Sequence, residues 1–243
     1  MGSSKDALEG INFLIEKGQT IGLIGQNGAG KTTLLRLLAE IIEPSSGTLL
    51  KSDWLSQESS TYLLEQPGLY KHQTSREYLQ FFRDLYLSNS SESLLFSESK
   101  LQDLCQVFEF DYLSEKAYKL SLGNKQKLQL IRCFWLNRGF MILDEPIANL
   151  DPIAQTAFWS LIKADKETTF IISSHHLNDM ISQCNKISFI HEGRMIKQMN
   201  RQELEEEMNI TSSFLDDFQQ LKDRHHLPNL EYKLNWDAWY QSI

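Results

Sequence analysis

The chain has 243 residues, 41% of them apolar and 23% charged, which is enough for one large domain with a sizeable buried core, or a domain with an appended lobe. Its formal net charge of -8 and the lack of any Lys/Arg cluster argue against nucleic acid as a partner, because such a partner asks for a basic face to neutralise phosphates. Three scattered cysteines, Cys105, Cys133 and Cys184, lack metal-ligand spacing and read as reduced thiols of a cytosolic protein; no run approaches the ~18 uninterrupted apolar residues of a spanning helix, so work at a membrane would need another chain.

In chain order, the start up to Asp6 lacks the Ser or Thr of a myristoylation site and is followed by no signal-peptide core. Ile11-Asn12-Phe13-Leu14-Ile15 alternates as a strand does, and Thr20-Ile21-Gly22-Leu23-Ile24 is a mostly apolar strand. A glycine-rich turn follows, then Lys31 to Ile42 carries leucines at helical spacing until Pro44-Ser45-Ser46-Gly47 stops it. Thr48-Leu49-Leu50 and Thr61-Tyr62-Leu63-Leu64 read as further strands. From Ser75 to about Tyr118 the pattern is helical, broken by the serine-rich stretch Ser88 to Ser99. Strands return at Phe140 to Leu143, Thr169 to Ile172 and Ile187 to Ile190, with helices between them. Apolar strands separated by helices predict a mostly parallel sheet covered on both faces, with the helical middle as an inserted lobe. Beyond about Asn200 the chain is charged and helical, and it ends in the aromatic cluster Trp236, Trp239 and Tyr240, read as packing on the domain ahead of meeting a partner.

Two stretches carry chemistry. Gly25-Gln26-Asn27-Gly28-Ala29-Gly30-Lys31-Thr32 fits G-x-x-x-x-G-K-[ST], between a strand and a helix as that motif requires. Glycines let successive backbone N–H groups curl inward, and the helix N-terminus adds partial positive charge. Lys31 is expected to reach the β- and γ-phosphates, with the Thr32 hydroxyl on Mg²⁺ and Gly25, Asn27, Gly28, Gly30 and Thr33 completing the cradle. A bare glycine turn capping a helix is the competing explanation of this stretch alone. The second stretch, Phe140 to Pro146, is an apolar strand that delivers two carboxylates at its C-terminal end, where open α/β sheets bind ligands. Asp144 is the expected Mg²⁺ partner, and Glu145 is placed to orient or deprotonate an attacking water.

With these two elements in that order, the chain resembles the nucleotide-binding subunit of an ABC (ATP-binding cassette) transporter from about Ala7 to Lys197. Leu120-Ser121-Leu122-Gly123-Asn124-Lys125-Gln126-Lys127 resembles the family signature, Ala148-Asn149-Leu150-Asp151 its D-loop, and Ser173-Ser174-His175 its switch histidine. The resemblance implies a P-loop α/β fold with a mostly parallel sheet, a shortened N-terminal antiparallel β portion, and a helical subdomain inserted at about 75–120. It implies an ATPase domain over 1–200 and a helical tail over 201–243. It also implies ATP and Mg²⁺ as cofactors, a second cassette (homo- or heteromeric) paired head to tail, and an integral membrane permease that places the chain on the cytoplasmic face of the membrane. In such a pair Ser121, Gly123 and Asn124 would meet the γ-phosphate of the partner's ATP. His175 would act beside Glu145 and Lys31 on the chain's own side, and Asp151 would lie at the seam.

The signature departs from the family pattern at Leu122 and Asn124, and the Ser-Leu-Gly form is similar to cassettes of the bacitracin and lantibiotic export type, which implies export. Glu65 and Gln66 share the place of the Q-loop residue that reaches Mg²⁺ or water, and the assignment between them stays open. The chain starts almost where an adenine-stacking aromatic is expected, so Phe13 or another ring would have to substitute. Two alternatives follow: a regulatory cassette with weak hydrolysis, and a non-transport ABC ATPase.

Overall fold

The computed structural model describes residues 6–50, 60–63, 68–87, 96–136, 139–175, 180–203 and 206. Six strands form one sheet: β1 (Thr20–Ile24), β2 (Ser60–Leu63), β3 (Phe140–Leu143), β4 (Thr169–Ser174), β5 (Lys186–His191) and β6 (Arg194–Asn200). Their order is β2-β3-β4-β1-β5-β6, parallel throughout except for the β5–β6 pair. Helices α1 (Lys31–Leu38), α2 (Ser75–Leu87), α3 (Glu98–Val107), α4 (Leu122–Leu136) and α5 (Pro152–Ala164) complete the described elements, with a 3₁₀ turn at Ala117–Lys119.

Every residue of β1, β3 and β4 is buried, which is why these strands read as mostly apolar runs. Alternate residues supply two cores. Ile21, Leu23, Phe140, Ile142 and Ile171 face the side covered by α1, whereas Met141, Leu143, Phe170 and Ile172 join the larger cluster with α2, α3, α4 and α5. Helix α4 crosses the middle of that larger core, and Gln126 through Leu136 are buried without a break. Arg132 is inside as well: its Nη2 donates to the Tyr62 carbonyl at 2.8 Å and its guanidinium lies 4.5 Å from the Phe82 ring centroid.

Four readings of the sequence change. Residues 11–15 and 48–50 are not strands. Leu8, Ile11, Phe13 and Ile15 pack on the α1-side core without a ladder partner, so their alternation records burial and the predicted N-terminal antiparallel portion is absent among the described residues. The ring of Phe13 is part of that packing. Helix α1 ends at Leu38, well before Pro44: Glu40 is left-handed (φ 55°), the Glu40 amide donates to Leu37 O and the Ile41 amide to Arg36 O, closing the last turn as a Schellman motif. Strand β6, which the sequence did not announce, pairs with β5 through the turn Glu192-Gly193, both at positive φ (46° and 80°) as a two-residue hairpin demands. The serine-rich break falls partly outside the described residues, and Ser97 within it serves as N-cap of α3, accepting from the Lys100 amide at 3.1 Å. The tail from residue 207 onward lies outside the described residues.

Candidate functional site

Strand β1 delivers Gly25 to the C-terminal edge of the sheet, and the loop curls from there into α1. The turn is closed by Gly30, the N-cap of α1, at φ 106°; a Cβ there would stand 2.7 Å from Leu8 Cδ2 and 3.0 Å from Ala7 O. Asn27 and Gly28 are exposed on the rim, where a cleft of about 330 Å³ separates Gln26 to Ala29 from the turn His191 to Gly193. Thr32 and Thr33, half-buried, occupy the first turn of α1.

Lys31 is buried, and its ammonium is held inside the curl: Nζ donates to Gly25 O at 2.7 Å and Gln26 O at 3.3 Å, and lies 3.5 Å from Glu145 Oε1. Asp144 and Glu145 follow β3, and the adjacent β4 supplies Ser173 beside them. The Ser173 hydroxyl donates to Asp144 Oδ1 at 2.7 Å and accepts from the Glu145 amide at 2.8 Å. Glu145 itself is left-handed (φ 47°), a conformation that a non-glycine residue adopts only when its surroundings fix it. His175, just past β4, places Nδ1 3.1 Å from Glu145 Oε2. Asp144 Oδ2 is buried with no hydrogen-bond partner, an orphan acceptor that a cation would satisfy. Among the described residues no three His, Cys, Asp or Glu gather as a cage of their own. That fits Mg²⁺, which is held by one or two carboxylates together with substrate phosphates.

A second group surrounds the start of α4. Ser121 caps this helix, its Oγ accepting from the Asn124 amide at 3.2 Å and its carbonyl from the Lys125 amide at 2.9 Å. Gly123 is pressed against the loop after β3: a Cβ would stand 2.8 Å from Asn149 O. Gln126 Nε2 donates to Pro146 O at 2.9 Å inside the protein. Asp151 caps α5 by accepting from the Ala154 amide at 2.9 Å, and its other oxygen meets Lys127 Nζ at 2.8 Å. The hydrogen bond from Lys127, joined by the Ala154 amide, holds the Asp151 carboxyl below its ordinary 3.8.

Of the residues singled out in the sequence, Gly25, Lys31, Asp144, Glu145 and His175 converge on one point. Ser121, Gly123, Asn124 and Asp151 form the second group, exposed at Ser121 and Leu122. Glu65 and Gln66 lie outside the described residues. Three contributors had no assigned role in the sequence: Ser173, Gln126 and Lys127. The signal for Ser173 was a serine at the end of a wholly buried strand whose neighbour in the sheet carries the carboxylates.

A family model described as "ABC transporter" matches residues 8–148. The ABC transporter ATP-binding protein NatA of Bacillus subtilis is 30% identical over 201 residues, covering 78% of this chain and 80% of that one. The bacitracin transport ATP-binding protein BcrA of Enterococcus faecalis is 31% identical over 205 residues, 80% of this chain and 64% of that protein. A solved ATP-binding subunit of an ABC transporter superposes with a TM-score of 0.70 at 27% identity, covering 82% of this chain and 85% of that one.

Proposed function

This chain belongs to the ABC transporter family as one of its ATPase subunits, and from that premise we propose that two cassettes close head to tail on ATP and power a separate membrane permease in export. The observation that carries this reading is the convergence of Lys31, Asp144, Glu145 and His175 around a curled loop, with Asp144 Oδ2 left unpaired. On nucleotide binding, Lys31 exchanges the Gly25 and Gln26 carbonyls for the β- and γ-phosphate oxygens. Asp144 and the Thr32 hydroxyl would hold Mg²⁺, with Glu65 or Gln66 as a further ligand, and the ion would supply positive charge against the phosphate oxygens. Gly25, Asn27, Gly28, Gly30 and Thr33 line the phosphate cradle. Glu145, steadied by His175, aligns the attacking water, and His175 meets the γ-phosphate on the chain's own side. Ser121, Gly123 and Asn124, at the N-terminus of α4, close over the γ-phosphate of the partner's ATP, and Asp151 lies at the seam.

The helical insert over 75–120 presents the permease-facing surface. Its exposed Phe81, Leu85 and Tyr118, with exposed Tyr70 just ahead of the insert in edge contact with Phe81 (centroids 6.1 Å apart), support a partner there. Among the described residues no helix is long and apolar enough to cross a membrane. In the proposed assembly the permease supplies the spans and the cassette sits on its cytoplasmic face. The export direction is supported by the Ser-Leu-Gly signature, which resembles that of export-type cassettes.

The test is steady-state ATPase of the purified chain beside Lys31→Ala and Glu145→Gln, with and without membranes of the source cell. Wild type should hydrolyse ATP at least tenfold faster than either variant and should co-purify with an integral membrane protein. Wild type no faster than Glu145→Gln at concentrations that dimerise would instead favour a regulatory cassette. Stimulation by RNA or DNA would overturn the transport reading.

A further inference from the structure

Three residues at the start of α4 touch three residues of the loop that follows β3, each in a different way. A Cβ on Gly123 would reach 2.8 Å from Asn149 O, Gln126 Nε2 donates to Pro146 O at 2.9 Å, and Lys127 Nζ meets Asp151 Oδ2 at 2.8 Å with the lysine largely buried. The loop itself is stiff. Glu145 and Asn149 both hold positive φ (47° and 66°), while Ala148 N donates to Glu145 O and Leu150 N to Ile147 O, each at 3.2 Å. Glu145, at one end, is tied to Ser173, His175 and Lys31; Asp151, at the other, caps α5. A shift of the first turn of α4 therefore reaches Glu145 through short, hydrogen-bonded links.

We propose that Lys127 is a positioning residue: its ion pair with Asp151, together with Gln126 on Pro146, staples the Ser121 end of α4 to the loop bearing Glu145, coupling the two ATP sites of a dimer within each chain. The inference rests on the head-to-tail reading, in which Ser121 faces the ATP held by the partner while Glu145 faces the ATP of its own chain. Engagement of a γ-phosphate by Ser121 at one site then sets the position of Glu145 at the other, and the two sites fire together. Lys127 touches neither ATP; it acts by keeping two moving parts in register.

The experiment follows ATPase rate against ATP concentration for wild type, Lys127→Met, Lys127→Arg, Asp151→Asn and the double variant Lys127→Met/Asp151→Asn. Binding of a fluorescent ATP analogue to dilute monomer is measured beside it. Asn keeps the oxygen that caps α5, so Asp151→Asn removes the ion pair with the helix end intact, and it carries the test if Lys127→Met fails to fold. The expected result is a Hill coefficient falling towards 1 and a kcat lower by roughly two- to thirtyfold in Lys127→Met and Asp151→Asn, with monomer affinity unchanged. The double variant should be no worse than either single one, and Lys127→Arg should behave as wild type. Retained cooperativity in both single variants, or losses that multiply in the double, overturns the staple. A wild type that hydrolyses ATP with a Hill coefficient of 1 overturns the head-to-tail reading first, and the staple with it.

Discussion

Ser173 shares its hydroxyl between two groups that matter: it donates to Asp144 Oδ1 and accepts the Glu145 amide, fixing the metal-facing carboxylate and the strained backbone of its neighbour at once. Ser173→Ala leaves a buried N–H and a buried carboxylate oxygen unmatched, so stability should fall by about 1–3 kcal/mol. Because Asp144 is then free to rotate, kcat should fall more than the apparent affinity for ATP. Urea denaturation and steady-state ATPase check the two halves separately. The residue also shows what spacing can and cannot reveal. Lys31, Asp144 and Glu145 were legible because their chemistry depends on adjacency along the chain, in a loop or at a strand end. Ser173 meets Asp144 across 29 positions through the register of β3 and β4, and one chain read in isolation carries no record of that register.

Helix α4 is the element on which the helical lobe hangs. Tyr78 of α2 donates to Gln129 Oε1 at 2.8 Å, Trp135 Nε1 donates to the carbonyl of Ser97 ahead of α3, and Arg132 binds the carbonyl of Tyr62 in β2. Burial pushes the Tyr78 hydroxyl up to about 12 from 10, and the thiols of Cys105 and Cys184 up to about 11 and about 12 from 9. The folded chain thus holds these protons more tightly than the unfolded chain does. Their contribution is complete below pH 9 and drains away as pH climbs towards about 12. Tyr78→Phe should cost about 1–3 kcal/mol near neutrality, by stranding the Gln129 acceptor, and should shallow the loss of stability above pH 10, as urea melts at pH 8 and pH 11 would record. At this scale the buried parallel strands and the amphipathic helices were legible, since continuous apolar runs and helical periodicity arise locally. The end of α1 was not, because a left-handed Glu40 is an unusual choice where glycine is common. The N-terminal segment misled for a related reason: alternation reports which side chains are buried and is silent on whether a ladder partner exists.

For the whole molecule, the head-to-tail reading predicts complementation. Lys31→Ala destroys a chain's own phosphate grip and Ser121→Ala its contribution to the partner, so each variant alone should be nearly inactive. A mixed dimer keeps one intact composite site, and equimolar mixing should restore part of the ATPase activity, with a Hill coefficient near 1 because the coupling between sites is broken, in a way that neither protein shows at doubled concentration. Stopped at the additive baseline, such a titration would mean that both halves of each site lie on one chain. The topology of the sheet has a further consequence, for the order of events during synthesis. Strand β1, which launches the phosphate loop, lies between β4 and β5, so Ile21 pairs with Ile171 on one side and Lys186 on the other. At about 5–20 residues per second, the ribosome takes on the order of ten seconds to supply those neighbours after β1 has emerged. Throughout that interval one of the most apolar segments of the protein has both edges open, which makes the nascent chain a client for holdase chaperones well before it is an enzyme.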